Sequence, residues 1–68
     1  MFSQEEFERV IAQRGVKITA LAHAMGVSPS TIYKKNKRNG DYTVSEIVTI
    51  CNFLRLTPEE RDEIFFAQ

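Results

Sequence analysis

The sequence contains a single cysteine, Cys51, and a single histidine, His23. No disulfide can form within the chain, and one histidine cannot supply the three protein ligands that even a catalytic zinc needs. Cys51 falls in an apolar helical pattern, where a free thiol behaves as a small hydrophobe. No run of 18 apolar residues and no signal peptide are present, so the chain is expected to be soluble and cytoplasmic, with no membrane partner. No stretch alternates apolar and polar residues with period two, which argues against a sheet. There is no glycine loop to cradle phosphate, and no Ser/His/Asp or Cys/His arrangement beyond single copies. No enzymatic activity, cofactor or small-molecule ligand is therefore expected. Sixty-eight residues form one domain, spanning 1–68. A core of that size rarely yields more than about 3–5 kcal/mol, so oligomerisation and very regular helices remain as means of support.

Net charge is also absent, at nine basic against nine acidic residues. The zero conceals a segregation. Seven basic residues lie between Arg9 and Gly40 (Arg9, Arg14, Lys17, Lys34, Lys35, Lys37 and Arg38), and that interval holds no Asp or Glu. The carboxylates stand before it (Glu5, Glu6, Glu8) and after it (Asp41, Glu46, Glu59, Glu60, Asp62, Glu63). A basic front and an acidic back are expected, with an anionic partner on the front.

What the sequence does have is helix punctuation. Ser3–Glu6 (SQEE) is a capping box with Phe2 and Phe7 placed as a hydrophobic staple, and Gly15 is the matching stop. A second helix runs from about Ile18 to Met25 and closes at Gly26. Ser28 then caps a third helix, Pro29 to about Lys37, with proline at the first helical position, where its missing N–H is harmless. TVSE at Thr43–Glu46 opens a fourth helix whose buried line is expected to be Val44, Ile47, Val48, Cys51 and Leu54. TPEE at Thr57–Glu60 opens a fifth, leading into Ile64, Phe65 and Phe66. The fold class is all-α, a compact five-helix bundle.

Between helices two and three only Gly26, Val27 and Ser28 intervene. So short a connection forces a steep crossing, with Ala22 at the contact and Val27 and Ile32 filling the space beneath. This is the pattern of a helix-turn-helix. The residues LAHAMGVSPSTIYKK, with Leu21, Ala22, Gly26, Val27 and Ile32 as framework, resemble the helix-turn-helix of the Cro and phage-repressor-like (XRE-type) DNA-binding proteins. The likeness covers nearly the whole chain and implies a lambda-repressor-like fold. Two positions depart from that family. Ile18 stands where the family often has glutamine at the start of helix two. Asn36 stands where an apolar residue usually follows Ile32 by one turn. KNKRNG reads as a helix unwinding into a turn, so Asn36 is expected to end the third helix early; the alternative is a buried, hydrogen-bonded amide.

The resemblance implies a regulator of transcription that reads the major groove of double-stranded DNA with helix 29–37. Helical spacing turns Ser28, Pro29, Ser30, Thr31, Tyr33 and Lys34 outward as base contacts, unless the Tyr33 ring braces helix three instead. Lys17, Thr19, Lys35, Lys37, Arg38, Asn39 and the helix start at Thr43 are assigned to the phosphate backbone. One helix-turn-helix reads few base pairs, so a homodimer on an inverted-repeat operator is expected, with Phe53 and Phe66 as its candidate surface. Such a protein would act in a prokaryotic nucleoid or a phage-infected cell. The competing reading is a helical protein-interaction module that docks an acidic partner on the basic face.

Overall fold

The computed structural model describes the whole chain, Met1–Gln68. Its elements are α1 (Gln4–Arg14), α2 (Ile18–Met25), α3 (Pro29–Lys37), α4 (Val44–Leu54) and α5 (Pro58–Phe65), with no strand. Each begins at a residue in extended conformation, and Ser3, Ser28, Thr43 and Thr57 accept an N–H bond from the third helical residue. Those bonds satisfy donors that the first turn would otherwise leave orphaned. Thr43–Glu46 and Thr57–Glu60 form complete capping boxes.

SQEE forms only half of its box. Ser3 accepts from the Glu6 N–H, but the Ser3 N–H is bound to the Ile64 carbonyl at 2.7 Å. The Glu6 carboxylate turns to Arg9 instead. A second backbone bond, Ala67 N–H to the Met1 carbonyl at 2.8 Å, joins the same two segments.

One apolar core is shared by all five helices. Phe7, Val10, Leu21, Ala22, Ile32, Ile50, Leu54 and Ile64 are essentially closed to solvent, with Phe2, Ile11 and Phe65 at its edge. The Phe2–Phe7 staple forms, its rings 5.8 Å apart. On α4 the buried line differs from the expectation. Val44 and Val48 are 78% and 52% exposed, and Ile50 is fully buried beside Ile47, Cys51 and Leu54. This helix is apolar around more than half its circumference, so two overlapping stripes compete. The helix packs against α2, and the stripe that enters the core carries the larger side chains Ile50 and Leu54. Cys51 is partly buried, and burial pushes its thiol up.

The turn between α2 and α3 depends on Gly26, whose φ of 71° lies in the left-handed region. The Val27 N–H returns to the Ala22 carbonyl at 3.0 Å, and Ala22 itself is buried where the helices meet. A larger side chain at that position would separate them.

Candidate nucleic-acid interface

Helix α3 buries Ile32 completely and leaves the opposite side open. At its N-terminus the Ser28 hydroxyl lies 3.0 Å from those of Ser30 and Thr31 and accepts the Thr31 N–H. Three hydroxyls thus form one cluster of donors and acceptors. Pro29 and Thr31 are partly exposed. The Tyr33 ring is 54% exposed, too open to brace the helix from within. Lys34 is exposed and in no ion pair. Lys34, Lys35 and Lys37 fall in the last turn, where cations complement the helix dipole.

The basic interval divides in two. Arg9 pairs with Glu6 and Glu63, and Arg14 with Glu60, so both arginines belong to the acidic side of the molecule. Lys17, Lys34, Lys37 and Arg38 are exposed and unpaired. Lys17 precedes α2 without a side-chain cap, and Thr19 is exposed on that helix. Ile18 packs partly buried against the core, so it points inward where a polar clamp would have to point out.

Lys35 is held inside the chain. Its ammonium donates to the Asp41 carbonyl at 3.1 Å, pairs with Glu46 at 3.2 Å and lies over the Tyr42 ring. Its own carbonyl accepts from the N–H groups of Arg38, Gly40 and Asp41 at 3.1, 2.9 and 3.2 Å. The loop after α3 is wrapped around this one residue. Asn39 and Gly40, at φ 61° and 71°, make its bend. A Cβ at Gly40 would land on the Phe2 ring.

Asn36 does not end the helix. It lies within α3, 6% exposed, and its Oδ1 accepts from the Tyr42 hydroxyl at 2.6 Å. Of the twelve buried residues it alone is polar. The buried-amide reading is therefore the correct one, and the left-handed residue is Asn39, three positions on. A hydrogen-bonded side chain removes the cost of burying the amide.

Thr43 opens α4 with its N–H bound to the Glu46 carboxylate at 2.8 Å and its hydroxyl accepting the Glu46 N–H. The next N–H groups, of Val44 and Ser45, remain as donors at this end. The Thr43 N–H and then Lys35 hold the Glu46 carboxyl below its usual range. Burial, with the nearby Glu46 charge, pushes Tyr42 up to about 12.

Phe53 and Phe66 are 38% and 54% exposed. Phe66 lines an open depression with Glu6, Asp62 and Glu63, and Phe53 is not part of it. The Asn36–Tyr42 and Lys35–Glu46 pairs went unread in the sequence. The only local sign was the polar residue one turn after Ile32.

No helix is long and apolar enough to cross a membrane. A family model described as a Cro/C1-type HTH DNA-binding domain matches residues 6–60. No curated protein and no solved structure matches the chain.

Proposed function

The chain belongs to the Cro/C1-type family of helix-turn-helix DNA-binding domains, and from that premise we propose that it is a sequence-specific transcriptional repressor acting as a homodimer on an inverted-repeat operator. The observation that carries this reading is the outer face of α3. A hydroxyl cluster, an open tyrosine ring and an unpaired lysine follow one another there, while Arg9 and Arg14, away from that face, are tied to carboxylates. Hydroxyls and lysine suit base edges in the major groove and make poor anchors for a protein partner.

In this reading Ser28, Pro29, Ser30, Thr31, Tyr33 and Lys34 touch bases. Lys17, Thr19, Lys37, Arg38, Asn39 and the α4 N-terminus at Thr43 grip phosphates, with Lys35 behind them on Glu46. The three unpaired cations on phosphates, Lys17, Lys37 and Arg38, correspond to a log–log salt slope of roughly −3 per protomer, at about −0.9 per phosphate neutralised. Phe53 and Phe66 are the proposed dimer surface.

The test is selection of the purified chain against random-sequence duplex DNA at near-physiological salt. Enrichment of an inverted repeat with half-sites about one helical turn apart supports the whole reading. A single half-site keeps the DNA function and removes the homodimer. No enrichment, with binding lost as salt rises, removes sequence specificity and turns attention to an acidic protein partner. Lys34→Ala with Tyr33→Ala is expected to abolish enrichment while leaving the thermal midpoint in place.

A further inference from the structure

Asn36 and Tyr42 pose a problem of economy. Two polar groups meet at the edge of a core of eleven apolar residues, Asn36 buried and Tyr42 half-buried against it, although an apolar pair of similar shape is often as stable or more so. Stability alone does not call for them. The pair does have a direction, which apolar packing lacks. The Tyr42 ring stands about 6.0 Å from Phe2 and edge-on to Phe65 at the same spacing. Those contacts press the ring into place without setting its depth. The hydroxyl, anchored on a residue of α3 itself, sets it.

Depth matters because of what lies between the two residues. Arg38 and Asn39 stand in the loop from α3 to Tyr42, and Thr43 with the free α4 donors follows directly. This loop is already gathered at one end by Lys35, whose carbonyl takes three of its N–H groups. The Tyr42 N–H closes a tight turn on the Gly40 carbonyl at 2.7 Å. The Asn36–Tyr42 bond is the tie at the other end. We infer that Asn36 and Tyr42 are positioning residues for DNA: their part-buried hydrogen bond holds the phosphate-gripping loop 38–43 and the start of α4 in fixed register with the base-reading face of α3. The inference rests on the DNA-binding reading above and adds residues that touch no DNA themselves.

The experiment compares the parent chain with Tyr42→Phe, with Asn36→Leu plus Tyr42→Phe, and with Lys34→Ala. Three quantities are measured: thermal midpoint, amide exchange of Gly40 and Asp41 in the free protein, and affinity for the duplex that the parent enriches from a random pool. The double variant is expected to keep the parental midpoint. Its loop amides are expected to exchange faster, and its affinity to fall about three- to tenfold, the range that one hydrogen bond's net contribution corresponds to. Tyr42→Phe, which removes one oxygen and leaves the fold its aromatic contacts, is expected to show the same two changes. Lys34→Ala should lose affinity with loop exchange unchanged.

Unchanged exchange in both Tyr42 variants overturns the inference whatever happens on DNA. Faster exchange with parental affinity overturns it as well, since the loop's register then does not matter to binding. If the parent enriches no duplex, the DNA reading fails first and the positioning role with it.

Discussion

Two glutamates occupy equivalent places in this fold, and the cations that meet them differ. Glu46 and Glu60 are each the third helical residue of a T-x-x-E box, and each accepts the N–H of its capping threonine, at 2.8 and 2.9 Å. Each also receives a cation from another helix: Lys35 of α3 reaches Glu46, and Arg14 of α1 reaches Glu60. The lysine brings a single point of charge. The arginine brings a planar fork that also bonds the Leu54 carbonyl at 3.2 Å, so it joins α1, α4 and α5 at once. At the α1–α5 junction the pair is a fastening of the scaffold. At the α3–α4 junction it is a lighter tie beside the second helix of the helix-turn-helix. The same local device joins three helices in one place and gathers a loop in the other.

The sharpest way to break the comparison is to cut both ties. Arg14→Ala is expected to lower the thermal midpoint by roughly 10 °C, the scale of one charged hydrogen bond lost from a domain this size, with DNA affinity unchanged. Lys35→Met removes the charge and keeps an unbranched stem of similar length, and should lower the midpoint by less than half as much, yet weaken DNA binding. Thermal melts and a titration with the enriched duplex check both. Equal losses of stability would mean that the two ties are alike.

Acid titration probes the two glutamates together. Hydrogen bonds from Arg14 and Thr57 hold Glu60 below the usual carboxylate value of 4.5, and those from Thr43 and Lys35 do the same for Glu46. A carboxyl depressed in the folded state stabilises it above 4.5, and that contribution is lost as pH falls through the depressed value. Melting points should therefore decline below pH 4.5. Glu60→Gln and Glu46→Gln should each flatten the decline, the first more than the second. Tyr42 titrates in the opposite sense. Its folded value near 12 lies above the ordinary 10, so stability is full below pH 10 and falls from pH 10 towards 12. Tyr42→Phe is expected to remove that alkaline fall, as followed by circular dichroism.

A smaller effect sharpens the scaffold side. Arg55 follows Leu54 in left-handed conformation, φ 53°, where α1 and α2 end on glycine. Arg55→Gly is expected to stabilise by about 0.5 kcal/mol, since the strain relieved slightly exceeds the added flexibility of the unfolded chain. Urea unfolding of this variant with and without Arg14→Ala shows whether the arginine fork compensates for that strained helix end.

The helix boundaries were legible because caps are local. Ser28-Pro29, Thr43 and Thr57-Pro58 announce their helices within four residues, and the framework from Leu21 to Ile32 is equally short-range. The face of α4 was not legible, because Val44 and Val48 fit a helical stripe as well as Ile50 does, and only the presence of α2 decides between them. Asn36 was misplaced for a related reason. KNKRNG contains two asparagines suited to a bend, and the choice between them depends on Tyr42 lying within reach of one. The pairs Lys35–Glu46 and Arg14–Glu60 span 11 and 46 residues of sequence, a separation at which spacing carries no information.

Phe2 touches the rings of Phe7, Tyr42 and Phe65, and this has a meaning in time as well as in space. The contact with Phe65 closes a loop of nearly the whole chain, while α2 and α3 meet across three residues. Closing the long loop carries the greater entropic penalty, so the helix-turn-helix is expected to assemble early and the aromatic latch to shut late. Phe65→Leu should then quicken unfolding and leave the folding rate nearly untouched in stopped-flow kinetics. The lifetime of the folded helix-turn-helix would be governed by a latch at the far ends of the polypeptide.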